Sequence, residues 1–276
     1  MNATTGEVVR LTHDAVASFA ASARLLWLVN ICWSGCGFCQ SLEPDWQRLA
    51  RRMRHEVAVT FWDAGLMADI PEAIGRTNTT PAIRAIIPSS VQGAEPRRVT
   101  YHGSRQLHDL LRFAAANMPN EVARIDDDAA WEALRARAID EHHPRLIFFL
   151  SLGAGAPTPP LLKALSAIYR GQLLVGEVRV QDGVPTGGSL AARFGVSSIP
   201  SAIALRAGDD GDPWRHTGAL THRGLNAFAQ SVLQNTQLPD PLAGSPQAAG
   251  AARPRQVDQD HGRAEERATS MTRDEL

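Results

Sequence analysis

Leu25-Leu26-Trp27-Leu28-Val29-Asn30-Ile31-Cys32-Trp33-Ser34-Gly35-Cys36-Gly37-Phe38-Cys39 is the stretch on which the reading of this 276-residue chain turns. Leu25–Ile31 is a continuous apolar run of strand length, the pattern of a strand buried on both faces of a sheet. Just beyond it, Leu42, Trp46, Leu49 and Met53 recur at offsets of four, three and four, the stripe of an amphipathic helix, with Pro44 inside it as an expected kink. A Cys36-x-x-Cys39 pair therefore falls at a strand-to-helix junction. There the first thiol meets the unpaired N–H groups and the positive end of the helix, which favour the thiolate. The second lies one turn in, buried, and placed to attack a mixed disulfide formed by the first. Cys36 is the expected nucleophile and Cys39 the expected resolving thiol.

All three cysteines lie between positions 32 and 39, so they form a local chemical site and not a framework of structural disulfides. Cys32 reads as a small apolar residue finishing the buried strand. The spacing C-x3-C-x2-C is also the one with which radical-SAM enzymes hold an iron–sulfur cluster. Such enzymes need one larger barrel-like core, and this chain divides into two short units. No cofactor and no metal are expected. His142-His143 reads as a solvated loop pair, with no third ligand in evidence. Asn78-Thr79-Thr80 fits a glycosylation acceptor, but Pro81 and its position in the site argue against use.

Working outward, the elements repeat. The first half reads as a strand at Val8–Leu11, a helix at Asp14–Ser22 with Val16 and Phe19 inward, the strand and helix above, a strand at Val57–Asp63, a helix at Ile70–Arg76, a hairpin from Ala82–Ile87 and Val99–His102, and a helix at Leu107–Asn117. The second half gives strands at Val122–Ile125, Arg145–Leu150, Leu173–Val180 and Ala202–Arg206. Helices fall at Asp128–Ala138, Leu161–Tyr169, Ser189–Phe194 and Arg223–Leu233, with a weak last strand near Trp214–Thr217. Nothing like a C-x-x-C follows Arg145–Leu150, so this half is expected to be redox-silent. From Pro239 the composition turns to Pro, Gly, Ala, Gln and mixed charge, the composition of a disordered tail.

The net charge is −1 and Lys163 is the only lysine. The arginines are scattered among acids, so no nucleic-acid footprint is present. No apolar run approaches the roughly 18 residues of a membrane span, and none is expected to insert. The opening residues lack a secretory leader pattern.

Residues 1–118 resemble a redox-active domain of the protein disulfide isomerase family, particularly its P5-like branch, within the thioredoxin superfamily. The likeness rests on Val8–Thr12, Leu26-Trp27-Leu28-Val29, the dithiol, Leu42-Glu43-Pro44-Asp45-Trp46, and Tyr101-His102-Gly103-Ser104-Arg105. Residues 121–236 are similar to a redox-inactive domain of that family, with Ile199-Pro200 where a cis-proline belongs. The resemblance implies an α/β fold of two tandem thioredoxin-like domains, 1–118 and 119–238, each a central mixed sheet flanked by helices, followed by the tail 239–276. It implies that Thr80 and Pro81 face the dithiol and dock an extended client, and that Arg105 influences Cys39. It further implies disulfide exchange on unfolded or misoxidised secretory proteins. The terminus Arg273-Asp274-Glu275-Leu276 matches a retrieval signal read by a receptor of the endoplasmic reticulum lumen. Three positions depart from the family pattern: Gly35 replaces its tryptophan, Phe38 its histidine and Asn30 its buried carboxylate. They lead to the expectation of a slow enzyme, or of a chaperone-like holder with little turnover.

Overall fold

In the computed structural model, residues 5–65, 69–91, 93–153, 155–181, 184–185 and 190–237 are described. The first half runs β1 (Val9–Arg10), α1 (His13–Ser22), β2 (Trp27–Cys32), α2 (Gly37–Arg52), β3 (Ala58–Asp63), β4 (Ala82–Ile87), β5 (Arg97–Tyr101) and α3 (Leu107–Asn117). Its five strands lie in the order β1-β3-β2-β4-β5. β1, β3 and β2 are parallel, and β4 and β5 turn antiparallel. The apolar run thus becomes the central strand, as a run buried on both faces should. Leu26 and Leu28 pack on one side with Leu42, Trp46, Leu49 and Met53 of the predicted stripe, while Val29 and Ile31 pack on the other with Val16, Trp62, Ile70 and Ile74. Trp46 is satisfied by donating its indole N–H to the Thr60 carbonyl at 3.0 Å.

The second half runs β6 (Ala123–Ile125), α4 (Asp128–Glu141), β7 (Arg145–Leu150), α5 (Pro160–Ile168), β8 (Leu174–Gln181), β9 (Val184–Pro185), α6 (Leu190–Arg193), β10 (Ser201–Leu205), β11 (Trp214–Arg215) and α7 (His222–Gln237). Its main path, read from β6, is β6-β8-β7-β10-β11. The pairing senses also repeat: parallel from β6 to β8 and β7, then antiparallel to β10 and β11. The fold is two tandem thioredoxin-like domains. Cis peptides sit at corresponding places, Thr80–Pro81 before β4 and Ile199–Pro200 before β10.

The two halves join through α5. Ala164 enters the first core, the Lys163 ammonium donates to the Ala115 carbonyl at 2.8 Å, and Arg170 reaches both Glu121 and the Ser89 carbonyl.

The expected helix at Ile70–Arg76 is corrected to a turn. Pro71 supplies the carbonyl for the N–H groups of both Ile74 and Gly75, and Gly75 then takes φ +86°, a conformation that stops a helix. Ile70 and Ile74 are buried, so the apolar spacing marked a core contact and not a helix. α2 continues through Pro44 from Gly37 to Arg52. The Phe19 side chain, the tail from 239 and the terminal Arg273–Leu276 lie outside the described residues. No described helix is long and apolar enough to cross a membrane.

Candidate redox site

Cys36 is the N-cap residue of α2. Its backbone is extended (φ −89°, ψ 110°), and its sulfur accepts the Cys39 N–H at 3.3 Å. A sulfur thereby takes the place usually held by a serine or aspartate oxygen at a helix start. On its other side the Cys36 sulfur lies 3.7 Å from the Thr80 carbonyl, immediately before cis-Pro81. Arg105 donates toward the Pro81 carbonyl at 3.5 Å. Burial pushes the Cys36 thiol up. The Thr80 side chain, the N–H groups of Cys39 and Phe38 and the charge of Arg105 outweigh it and hold the thiol below its ordinary value. The structure therefore gathers Cys36, Cys39, Thr80, Pro81 and Arg105 into one place. The Arg105 charge acts on Cys36.

The disulfide in the structure is not the pair singled out from the sequence. Cys39 is bonded to Cys32, with their α-carbons 5.8 Å apart, and Cys36 is the free thiol. Cys32 is not merely a filler at the end of β2. The sequence reading pairs Cys36 with Cys39; the strand–helix junction instead brings Cys39 to Cys32. β2 ends at Cys32, the chain turns through Trp33–Cys36, and α2 brings its third residue, Cys39, back against the strand end. Two small sheets stand where the iron–sulfur reading requires one larger barrel-like core.

Around this core the surface is aromatic and polar. Phe38 is 72% exposed and Trp33 43% exposed, on either side of Cys36 in sequence. The Trp33 carbonyl accepts the Cys36 N–H at 3.1 Å. Asn30, in the place of the family's carboxylate, is buried, with its Oδ1 3.1 Å from the Cys32 sulfur. Asn30, Cys32 and Cys39 line a cleft of about 410 Å³, with Trp33, Gln40 and Phe61 among its walls and Arg10 paired to Asp63 at its edge. Cys36 is not among the residues that line it, since its sulfur faces Thr80.

In the second domain the corresponding helix, α5, starts after Pro159, which provides no side-chain cap, and holds no cysteine. Its sheet instead buries Glu177 and Arg179, paired at 2.8 Å, which the sequence reading did not single out.

Among curated proteins, a protein disulfide-isomerase A6 homolog of Caenorhabditis elegans is 30% identical over 118 residues, covering 41% of this chain and 26% of that protein. A putative protein disulfide-isomerase of Dictyostelium discoideum is 20% identical over 227 residues, 81% of this chain and 52% of that protein. The chain is a relative of the protein disulfide isomerases. It spans from about a quarter to about half of the length of the curated isomerases it matches. No family model matches it. Solved structures align at low identity: full-length ERdj5 at 15%, TM-score 0.46, over 84% of this chain and 33% of that chain, and zinc-bound human ERp44 at 16%, TM-score 0.36, over 81% and 57%.

Proposed function

We propose that this isomerase relative exchanges thiols and disulfides on extended polypeptide clients, with Cys36 as the nucleophile. The observation that carries the proposal is the setting of Cys36: a free thiol at a helix N-terminus, its sulfur receiving a backbone N–H and facing the Thr80–Pro81 edge. The thiolate attacks a client disulfide, so that a Cys36–client bond forms and the other client sulfur leaves as a thiolate. Thr80 and Pro81 offer backbone groups to the client segment, and Arg105 stabilises the anionic sulfur. Cys39, once reduced, attacks the Cys36 sulfur and releases the client as a thiol. Clients of the secretory pathway and retrieval to the endoplasmic reticulum lumen through Arg273, Asp274, Glu275 and Leu276 complete this reading. Turnover of a disulfide-bonded peptide by wild type against Cys36→Ala tests the chemistry, with activity lost in the variant. Equal turnover would overturn it. For location, the chain fitted with a secretory leader is retained in cells, and deleting residues 273–276 releases it. Secretion unaffected by the deletion would refute retrieval.

A holder role is favoured by one further observation. With Cys39 tied to Cys32, a client captured by Cys36 has no resolving thiol beside it.

A further inference from the structure

We propose that Cys32 is a third redox residue of this site: by taking Cys39 into a disulfide it withdraws the resolving thiol and leaves Cys36 an unopposed nucleophile in the oxidised protein. The inference rests on the exchange chemistry proposed for Cys36 and adds to it what decides between capture and release.

Three observations carry it. Cys39 meets both other sulfurs, one through its side chain and one through its backbone N–H. Cys32 is bonded to it across the β2–α2 junction, and the Cys36 sulfur accepts its N–H. The two sides of the cluster also open differently. The Cys36 sulfur faces the Thr80 carbonyl, while Cys32 and Cys39 line the cleft beside Asn30. Finally, Asn30 Oδ1 lies against the Cys32 sulfur at 3.1 Å, where it can accept the S–H of a released Cys32 thiol. A neutral amide suits both states of Cys32, bonded and free, whereas a carboxylate there would oppose a Cys32 thiolate leaving group.

The steps balance. In the oxidised protein, the Cys36 thiolate attacks a client disulfide, the Cys36–client bond forms, and the client's other sulfur departs as a thiolate. Cys39 cannot respond while bonded to Cys32. A dithiol reductant reopens Cys32–Cys39 and is itself oxidised to a disulfide. Cys39 thiolate then attacks the Cys36 sulfur, forming Cys36–Cys39 and expelling the client sulfur. After release, the Cys32 thiolate attacks Cys39: Cys32–Cys39 forms, Cys36–Cys39 breaks, and Cys36 leaves as the thiolate of the starting state. This last exchange consumes no oxidant.

The test uses the full chain, oxidised, and a peptide bearing one cysteine as a mixed disulfide with an aromatic thiol. Differential alkylation of wild type, with labelled sites read by fragment sequencing, places the first label on Cys36. Wild type captures the peptide and keeps it. Oxidised Cys32→Ser, whose only available pair is Cys36–Cys39, captures at least tenfold less. Cys32→Ala gives the same loss if the serine variant does not fold. First labelling on Cys32 in wild type, or equal capture by oxidised wild type and the Cys32 variants, would overturn the proposal. Failure of the reduced proteins to exchange with the peptide at all would instead strike the role of Cys36 on which it rests.

Discussion

Trp33 lays its ring across Gly35 so closely that any β-carbon at 35 would overlap Cζ3 and Cη2 of the indole. The family's tryptophan directly precedes the first cysteine, and here that position must be glycine because an aromatic ring from two residues earlier already covers it. Gly35→Ala therefore forces Trp33 outward and destabilises by about 1–3 kcal/mol, the usual cost of overpacking, toward the lower end because Trp33 is partly exposed. In Trp33→Ala the same Gly35→Ala change costs nothing further, a coupling of contacting residues that urea unfolding of the four proteins resolves. Additive effects would show that the ring does not constrain position 35.

How much of this was legible in the sequence depended on what kind of interaction placed each residue. The central strand and the stripe Leu42, Trp46, Leu49, Met53 were legible because burial of apolar surface follows local periodicity. The duplicated order was legible for the same reason, and both sheets have it. Ile70–Arg76 misled because Ile70 and Ile74 have helical spacing, while Pro71 and Gly75 between and beside them form a turn. Cys36, Cys39, Thr80, Pro81 and Arg105, singled out by motif and resemblance, lie together in the structure. The Cys32–Cys39 bond was not foreseen, since Cys32 was read as a small apolar residue ending the strand and its approach to Cys39 depends on where strand end and helix start are placed. The burial of Arg145 was hidden at the start of a predicted strand, because its partner is 65 residues away in sequence.

That buried arginine gives the second prediction. Arg145 is fully buried, paired to Asp210 at 2.7 Å and stacked over Trp131 at 5.1 Å. Asp210 also holds Arg193 at 2.8 Å. Removing one member of a buried pair leaves an uncompensated charge and costs about 3–5 kcal/mol. Asp210→Ala falls near the low end, because the Arg206 and Asp209 carbonyls still accept from Arg145 at 2.9 and 3.2 Å. Arg145→Met combined with Asp210→Ala regains most of the loss in denaturant midpoints. A double variant no more stable than Asp210→Ala would refute this.

The third prediction concerns pH. Burial pushes the Glu56 carboxyl up to about 7. Between about 4.5 and 7 the folded chain keeps a proton that the unfolded chain has released, so stability falls as pH rises through that interval and the loss is complete above it. Neighbouring His55 and His222, stacked at 4.4 Å, behave oppositely. Burial holds both below their ordinary value, so their contribution is present above about 6.5 and fades as pH falls. Comparing wild type with Glu56→Gln isolates the carboxyl. The two are equally stable near pH 4, and at pH 8 the glutamine variant is more stable by about 1–2 kcal/mol, a figure reduced for partial solvent exposure. A constant difference across the range would refute the assignment.

The last prediction concerns what keeps Cys36 reactive. Burial opposes its ionisation, and the helix-start N–H groups, Thr80 and Arg105 reverse that opposition. The helix contribution is built into the backbone, but the other two are side chains and can be removed singly. Arg105→Ala takes away a positive charge and so raises the Cys36 thiol toward its ordinary value, while Arg105→Lys keeps the charge and most of the effect. Thr80→Val removes the hydroxyl but leaves the carbonyl that faces the sulfur. Alkylation of the oxidised protein, in which Cys36 is the free thiol, reads the outcome directly because only the thiolate reacts. At neutral pH, Arg105→Ala and Thr80→Val alkylate several-fold more slowly than wild type, and Arg105→Lys only slightly more slowly. At alkaline pH, where every variant is ionised, the rates converge on a common plateau. That convergence separates a changed thiol from a changed approach to it. If Arg105→Ala slows the reaction equally at all pH values, the arginine shapes access to Cys36 and does not set its charge.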